Sequence, residues 1–228
     1  MAIWLFLAAL IALSGLCFFF GRAFRTPFAW LAIATGVSVF AIRLIQPGDY
    51  AMPGGGNLLA ALLALGLGGL LLFLPRLEKS ETETSSPAVW AQRLLLAAAP
   101  VVLFLALYST LAELEEVVVL HSTHQAGHAV DLRLWIVDEN GAGWIQMPQG
   151  KAEAHQLDVA SELRMTRQGK PACVAVHPFS DLENTRRVQN LRYEKYLVQR
   201  LATLIGLFPT EPTGKAVVLR ISDCPAQP

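Results

Sequence analysis

The sequence predicts a membrane α-helical bundle of four spans followed by a small antiparallel, β-barrel-like α+β soluble domain. Three observations predict it. Residues 1–111 hold four apolar runs, Met1–Phe20, Phe28–Ile45, Leu58–Leu74 and Leu94–Leu111. Each is close to the roughly 20 residues a helix needs to cross about 30 Å of hydrocarbon. Only 6 of the 18 Lys and Arg and 4 of the 18 Asp and Glu fall in that part. From Glu115 onward the apolar period becomes strand-like and both charge signs mix, as in a solvated domain. The expected domains are therefore a transmembrane part, 1–111, and a soluble part, 112–228.

The first run lacks a basic leader and exceeds the apolar core of a signal peptide, so it reads as a retained helix. Gly15, Gly36, Gly66, Gly68 and Gly69 allow close helix–helix approach, with Gly66–Gly69 the most suggestive patch; glycine is also simply common in membrane helices. No ionisable residue sits in mid-span. Arg43 and Arg93 lie at span ends where they can snorkel, which argues against a proton relay, ion pathway or voltage sensor. Pro100 interrupts the fourth run, and membrane helices tolerate this.

The loops set an expected orientation. Loop one, Gly21–Pro27, carries Arg22 and Arg25; loop three, Pro75–Ala88, carries Arg76 and Lys79, with Arg93 just beyond. Loop two, Gln46–Asn57, has Asp49, no Lys or Arg, and a Pro53–Gly56 turn, while Glu78–Ser86 reads as a solvated linker. Positive loops belong inside. Both termini then lie outside, which makes this a multi-pass protein of the inner (cytoplasmic) membrane with its soluble domain on the periplasmic face. There Cys173 and Cys224 can pair, or remain two thiols.

In the tail, Val117–Leu120, Leu132–Val137, Gly143–Met147, Ser161–Arg167, Ala172–Val176 and Ala216–Ile221 read as strands. Asn140-Gly141 and Gln168-Gly-Lys170 read as hairpin turns. Lys151–Val159 reads as a short helix. Ser180-Asp-Leu-Glu183 reads as a capping box that opens one helix with Val188, Leu191, Leu197, Leu201, Leu204 and Ile205 along a stripe, stopped by Gly206.

This order, with a Trp135-bearing strand, an Asn-Gly hairpin, a Trp144 strand, a short helix and a Glu162–Lys170 hairpin, resembles the split β-barrel of flavin- and deazaflavin-dependent nitroreductases and pyridoxamine-phosphate-oxidase-like proteins. The resemblance covers Glu115 to Gly206. It implies a flavin or deazaflavin held by the loop before the Arg133-Leu-Trp135 strand and the hairpin that follows, with His124, Gln125, His128, Arg133, Trp144, Tyr193 and Tyr196 as cofactor-binding residues. Family members carry basic residues in that loop. Here Thr123–Ala129 has two histidines and neither Lys nor Arg, so phosphate contacts would fall to backbone N–H groups and Arg133.

Each group has a second reading. His121, His124 and His128 can form a metal site, a cofactor loop or an ordinary polar loop; no metal is expected. Trp135, Trp144, Tyr193 and Tyr196 can flank a planar ring or serve as core packing and helix surface. Arg186, Arg187, Arg192 and Lys195 form a basic helix face that can pair with Glu183 and Glu194 or meet lipid headgroups. No basic stripe suggests nucleic acid, and no nucleophile elbow, P-loop, dinucleotide fingerprint or zincin motif occurs.

Two functions follow. One is a membrane-anchored oxidoreductase that passes electrons from a flavin-type cofactor to a quinone-like acceptor. The other is a non-catalytic protein whose soluble domain is a binding or assembly module among other membrane subunits of an envelope complex.

Overall fold

The computed structural model describes residues 2–45, 49–50, 56–78, 87–212 and 215–224. They divide into a helical unit that ends at Leu114 and a sheet unit that begins at Glu115 and also includes Asp49–Tyr50. Positions 51–55 and 79–86, where most of the expected turn and linker fall, lie outside the described residues.

In the helical unit α1 (Ala2–Phe20) passes through one 3-10 turn, Gly21–Phe24, into α2 (Arg25–Ile45). The expected loop Gly21–Pro27 is thus shorter than read. Pro27 falls in the first turn of α2, where its missing N–H leaves no bond unmade. α3 spans Gly56–Glu78, and α4 spans Pro87–Leu114 with Pro100 inside it. Two stretches are long and apolar enough to cross a membrane, Ala2–Ile45 (which is α1 and α2 together) and Val89–Leu114; Asn57–Phe73 is apolar but shorter. Length and apolarity alone therefore carry fewer spans than the four expected.

This unit is packed inside out. Its centre holds Ala29, Ala32, Ala64, Ala99 and Ala106 with Leu67, Leu71 and Leu96, whereas Leu5, Ile11, Leu62, Phe73 and Leu94 face outward. Small residues let backbones close up where the surroundings are as apolar as leucine. Two glycines do this work between α2 and α3. A Cβ on Gly36 would lie 2.8 Å from Leu65 Cγ and 2.9 Å from Ala61 O; on Gly68 it would lie 2.6 Å from Ile33 Cγ1 and 2.7 Å from Ala29 O. Gly66 and Gly69 have open space instead, so one glycine of the expected patch makes the contact. Near the ends of α3 and α4, Asn57 Nδ2 donates to the buried Glu113 carboxylate at 3.0 Å.

The sheet unit has β1 (Asp49–Tyr50), β2 (Val117–Thr123), β3 (Ala129–Trp135), β4 (Val137–Glu139), β5 (Ala142–Pro148), β6 (Ser161–Arg167), β7 (Lys170–Phe179) and β8 (Ala216–Asp223). Their order is β1-β3-β2-β6-β7-β8-β5-β4, antiparallel except for β1 on β3. β3 and β4 stand near opposite ends of this order, yet only Ile136 separates them in the chain. The sheet therefore curls on itself, and the strand expected over Leu132–Val137 is two strands bent at Ile136. Asn140-Gly141 (φ 52° and 74°) and Gln168-Gly169 (φ 50° and 76°) make the tight hairpins, both central residues left-handed as a two-residue turn of this twist requires.

Inside the curl pack Val118, Leu120, Leu132, Leu134, Ile136, Ile145 and their aliphatic neighbours. Ala152 and Leu157 join them from α5 (Gln149–Ala154) and the residues after it, so α5 packs into this core. The helix expected over Lys151–Val159 ends at Ala154 because Gln156 takes a left-handed φ of 54° and sends Leu157 into the core. Outside, α6 (Leu182–Lys195) lies over β4, β5 and β8. Its N-cap is Asp181, which accepts from Asn184 N–H at 2.8 Å, and not the expected Ser180. The single expected helix is also two, since Tyr196 adopts extended backbone between α6 and α7 (Leu197–Leu204).

Cys173 and Cys224 form a disulfide, which decides between the two cysteine readings, while Cys17 is free and buried. Their neighbours Val174 and Asp223 are register partners on β7 and β8, which brings the two Cα atoms to 5.6 Å.

Two outcomes are expected. Gly68→Val should destabilise the helical unit by about 1–3 kcal/mol through overpacking, and Gly66→Ala should not, read by thermal unfolding in detergent. Replacing both Cys173 and Cys224 with Ala should cost about 2–4 kcal/mol in the sheet unit, read as a fall in its Tm.

Candidate functional site

Two clusters of polar side chains stand out in the sheet unit. One surrounds the bend at Ile136, whose backbone groups leave the regular ladder there. Tyr196 Oη accepts from Ile136 N–H at 3.0 Å and bonds Ile136 O, and Lys195 Nζ donates to the same carbonyl at 2.8 Å. Lys195 also meets Glu116 at 2.5 Å and Asp138 at 3.5 Å. Arg167 grips both Asp138 oxygens at 2.7 Å, and its Nε donates to Glu116 at 2.7 Å.

The charges set the titration of this cluster. Burial pushes the Glu116 carboxyl up, but bonds from Lys195 and Arg167 outweigh it and hold the group below its ordinary value. The Arg167 bond likewise lowers Asp138, and burial raises the Tyr196 phenol. Glu115 is raised by burial although Val198 N–H donates to it at 2.9 Å. Glu116, Asp138, Arg167 and Lys195 form a closed set of ion pairs around a strand bend, a structural clamp by its geometry.

The second cluster lies where the β2–β3 hairpin meets α5. Gln125 N–H donates to Ala154 O and Gln125 Nε2 to Glu153 O, both at 2.9 Å. This brings the His124 ring into a stack on His128 at 4.8 Å and edge-on to His155 at 5.2 Å. Lys151 stands one helical turn before His155; the Lys151 Nζ and the His155 Nδ1 are both buried with no hydrogen-bond partner among the described residues. Burial lowers Lys151 to about 8. It also lowers His155, helped by Lys151, His124 and His128. His121 stays out of the cluster, bound to Asp131 at 2.6 Å and Thr166 at 3.0 Å.

The residues expected to hold a cofactor therefore occupy separate places. His124, Gln125 and His128 belong to the hairpin. Arg133 is buried on β3, opposite in face to Leu132 and Leu134. Trp144 and Tyr196 are buried under α6, where Arg187 lies 4.3 Å from the Trp144 ring and Trp135 stacks on Tyr196 at 5.3 Å. Tyr193 is exposed. A shallow depression of about 470 Å³ over β6 and β7, lined by Glu162, Leu163, Arg164, Pro171, Ala172 and Cys173, contains none of them.

The basic face of α6 also finds different partners. Arg187 pairs with Glu139 at 2.9 Å, Arg186 with Glu211 at 3.1 Å and Lys195 with Glu116, while Arg192 donates to Gln146 at 3.1 Å. Glu183 and Glu194, the expected same-helix partners, are not among these. Reading the sequence misses Glu116, Asp138 and Arg167 altogether, because strand register, not spacing along the chain, brings them together.

Compared with known proteins, the chain matches no family model, no curated protein and no solved structure.

Tyr196→Phe keeps the ring packing but strands the Ile136 N–H, while Lys195 still meets the carbonyl, and should cost about 1–3 kcal/mol. Thermal unfolding of the full chain measures this. Lys151 is expected to make stability rise with pH. Its folded value of about 8 lies below its ordinary 10.5, so the unfolded chain binds the proton more tightly between those values. Lys151→Met should flatten that slope and raise the Tm at pH 7.

Proposed function

We propose that the chain is an integral membrane protein whose four helices each cross the bilayer, with a periplasmic domain that serves as a binding or assembly module. The 3-10 turn at Gly21–Phe24 supports two crossings within Ala2–Ile45, since each half approaches the span length on its own. Outward-facing Leu59, Leu62, Leu63, Leu70 and Phe73 give α3 the surface of a lipid-facing helix. The α2–α3 connection supplies β1 to the same sheet as the chain after α4. That pairing requires α3 and α4 to cross together or not at all.

Sidedness draws support from two sources. Arg22, Arg25, Arg76, Lys79 and Arg93 flank the other connections, which the positive-inside rule assigns to the cytoplasm. The Cys173–Cys224 bond suits an oxidising compartment.

One observation carries the choice of module over oxidoreductase. Of the side chains that cofactor binding would recruit, Tyr196 is committed to the Ile136 clamp and Trp144 to the underside of α6. The hairpin histidines stack on one another and Arg133 is buried, so this set does not fit a flavin-type ring and its phosphate.

Purified full-length protein should have no visible flavin absorbance and should not quench the fluorescence of added flavin mononucleotide or a deazaflavin. Saturable quenching would overturn the module reading and favour the resemblance to split-barrel reductases. A periplasm-dependent phosphatase fused after Pro228 should be active; activity of a cytoplasm-dependent reporter alone would reverse the orientation.

A further inference from the structure

The Cys173–Cys224 bond stands beside a carboxylate that the fold leaves unused. Glu162 on β6 is in register with Ala175 on β7, and Cys173 lies two residues from Ala175, so Glu162 and Cys173 share one face of the sheet. One oxygen of Glu162 and the two sulfur atoms all lie within 4.8 Å of one another. Among the described residues the Glu162 carboxylate has no hydrogen-bond or ion-pair partner. Two sulfurs and a carboxylate oxygen at this spacing are a donor set for a borderline-soft divalent metal, zinc above all.

A metal needs thiolates, and the disulfide withholds them. Reduction would free both sulfurs without dismantling the site. Val174–Phe179 on β7 pair with Val218–Asp223 on β8 residue for residue, up to the positions next to the two cysteines. This ladder keeps the Cα atoms near 5.6 Å apart whether or not the sulfurs are joined. Zinc–sulfur bonds of about 2.3 Å at a tetrahedral centre need sulfurs about 3.8 Å apart, which side-chain rotation reaches from there. Charge agrees as well. Zinc with two thiolates and a carboxylate carries one net negative charge, and Arg164, the register partner of Cys173, is the cation beside it.

The bond is also open to a reductant. Cys173 is exposed and lines the depression over β6 and β7 with Glu162 and Arg164, whereas Cys224 is half-buried. Exposed disulfides are the labile ones, and here an incoming thiolate meets the Cys173 sulfur first.

We propose that Glu162, Cys173 and Cys224 form a zinc site that the Cys173–Cys224 bond locks. A dithiol opens it. One thiolate of the dithiol attacks the Cys173 sulfur and displaces the Cys224 thiolate, giving a mixed disulfide. The second thiol then attacks the reductant's own sulfur in that bond and releases the Cys173 thiolate. Two electrons and two protons pass to the protein, and the reductant leaves as its disulfide. Zinc replaces the two thiol protons, with Glu162 as third ligand and water in the fourth position. Nothing in this step depends on where the sheet unit stands relative to the membrane.

The test uses the natural full-length chain in detergent, reduced with a phosphine and kept free of oxygen. Cobalt(II) serves as the coloured probe and zinc as its competitor. The reduced chain should show thiolate-to-cobalt absorption in the near ultraviolet and the visible bands of a tetrahedral centre, and zinc should bleach both. The unreduced chain should show neither. Glu162→Gln, a change at an exposed side chain, should weaken zinc by more than the roughly 10–100-fold that loss of an outer-shell partner costs. Unchanged affinity in Glu162→Gln overturns the proposal. So does a reduced chain without thiolate-to-cobalt absorption, or the same absorption in the unreduced chain. Cys173→Ser keeps Cys17 and Cys224 and should lose that absorption; its retention assigns the metal elsewhere and overturns the site. If reduction alone lowers the strand signal in circular dichroism, zinc should restore it, and failure to do so counts equally against the site.

Discussion

The backbone of Ile136 is the constraint around which the sheet unit is arranged. A strand that must pair with β2 on one side and β5 on the other cannot stay straight, and the bend takes an N–H and a carbonyl out of the ladder. Buried backbone groups without partners cost on the order of 1–3 kcal/mol each. The Tyr196 hydroxyl and the Lys195 ammonium meet both. Supplying them forces α6 to stop at Lys195, because Tyr196 reaches the bend only from extended backbone. Gly143 belongs to the same arrangement: a Cβ there would lie 2.6 Å from Ile136 Cδ1, so the Ile136 side chain packs directly against the bare facing strand. Glu116, Asp138 and Arg167 then surround the clamp, and together with Lys195 their charges balance.

The two units solve the burial problem in opposite ways. The helical unit lines its centre with alanines and with Leu67, Leu71 and Leu96 and turns many other leucines outward, an arrangement that suits apolar surroundings. The sheet unit puts aliphatics inside and spends its aromatic residues on the outer face, under α6. Trp144, Trp135 and Tyr196 are thereby roofed by Arg187, Arg192 and Lys195 of that helix, a layer in which cation and ring stabilise each other.

Periodicity made the change from helix to strand after α4 and most strands legible, because a two-residue repeat and an Asn-Gly turn are local signals. Ser161–Arg167 is a strand in both readings, and the turn at Gln168-Gly169 lies where expected. What escaped was long-range. The break at Ile136 follows from closure of the sheet, and nothing in Leu132–Val137 announces it. The break at Tyr196 follows from a bond to a residue 60 positions away. The histidines were visible as a group, but His155 and Lys151 joined them only when the hairpin docked on α5. Spacing also overstated Gly66 and Gly69, since the helix turns them away from α2.

β8 carries a consequence for how the molecule is made. It is the latest described strand in the chain, yet it stands between β7 and β5 in the middle of the sheet. Until residues 216–223 have left the ribosome, β5 has no neighbour but β4, and the aliphatic interior has no wall on that side. The domain therefore cannot assemble stepwise as it emerges. Its earlier strands have to emerge with open edges and remain soluble until β8 inserts, which makes their protection from aggregation during synthesis part of this fold's requirements.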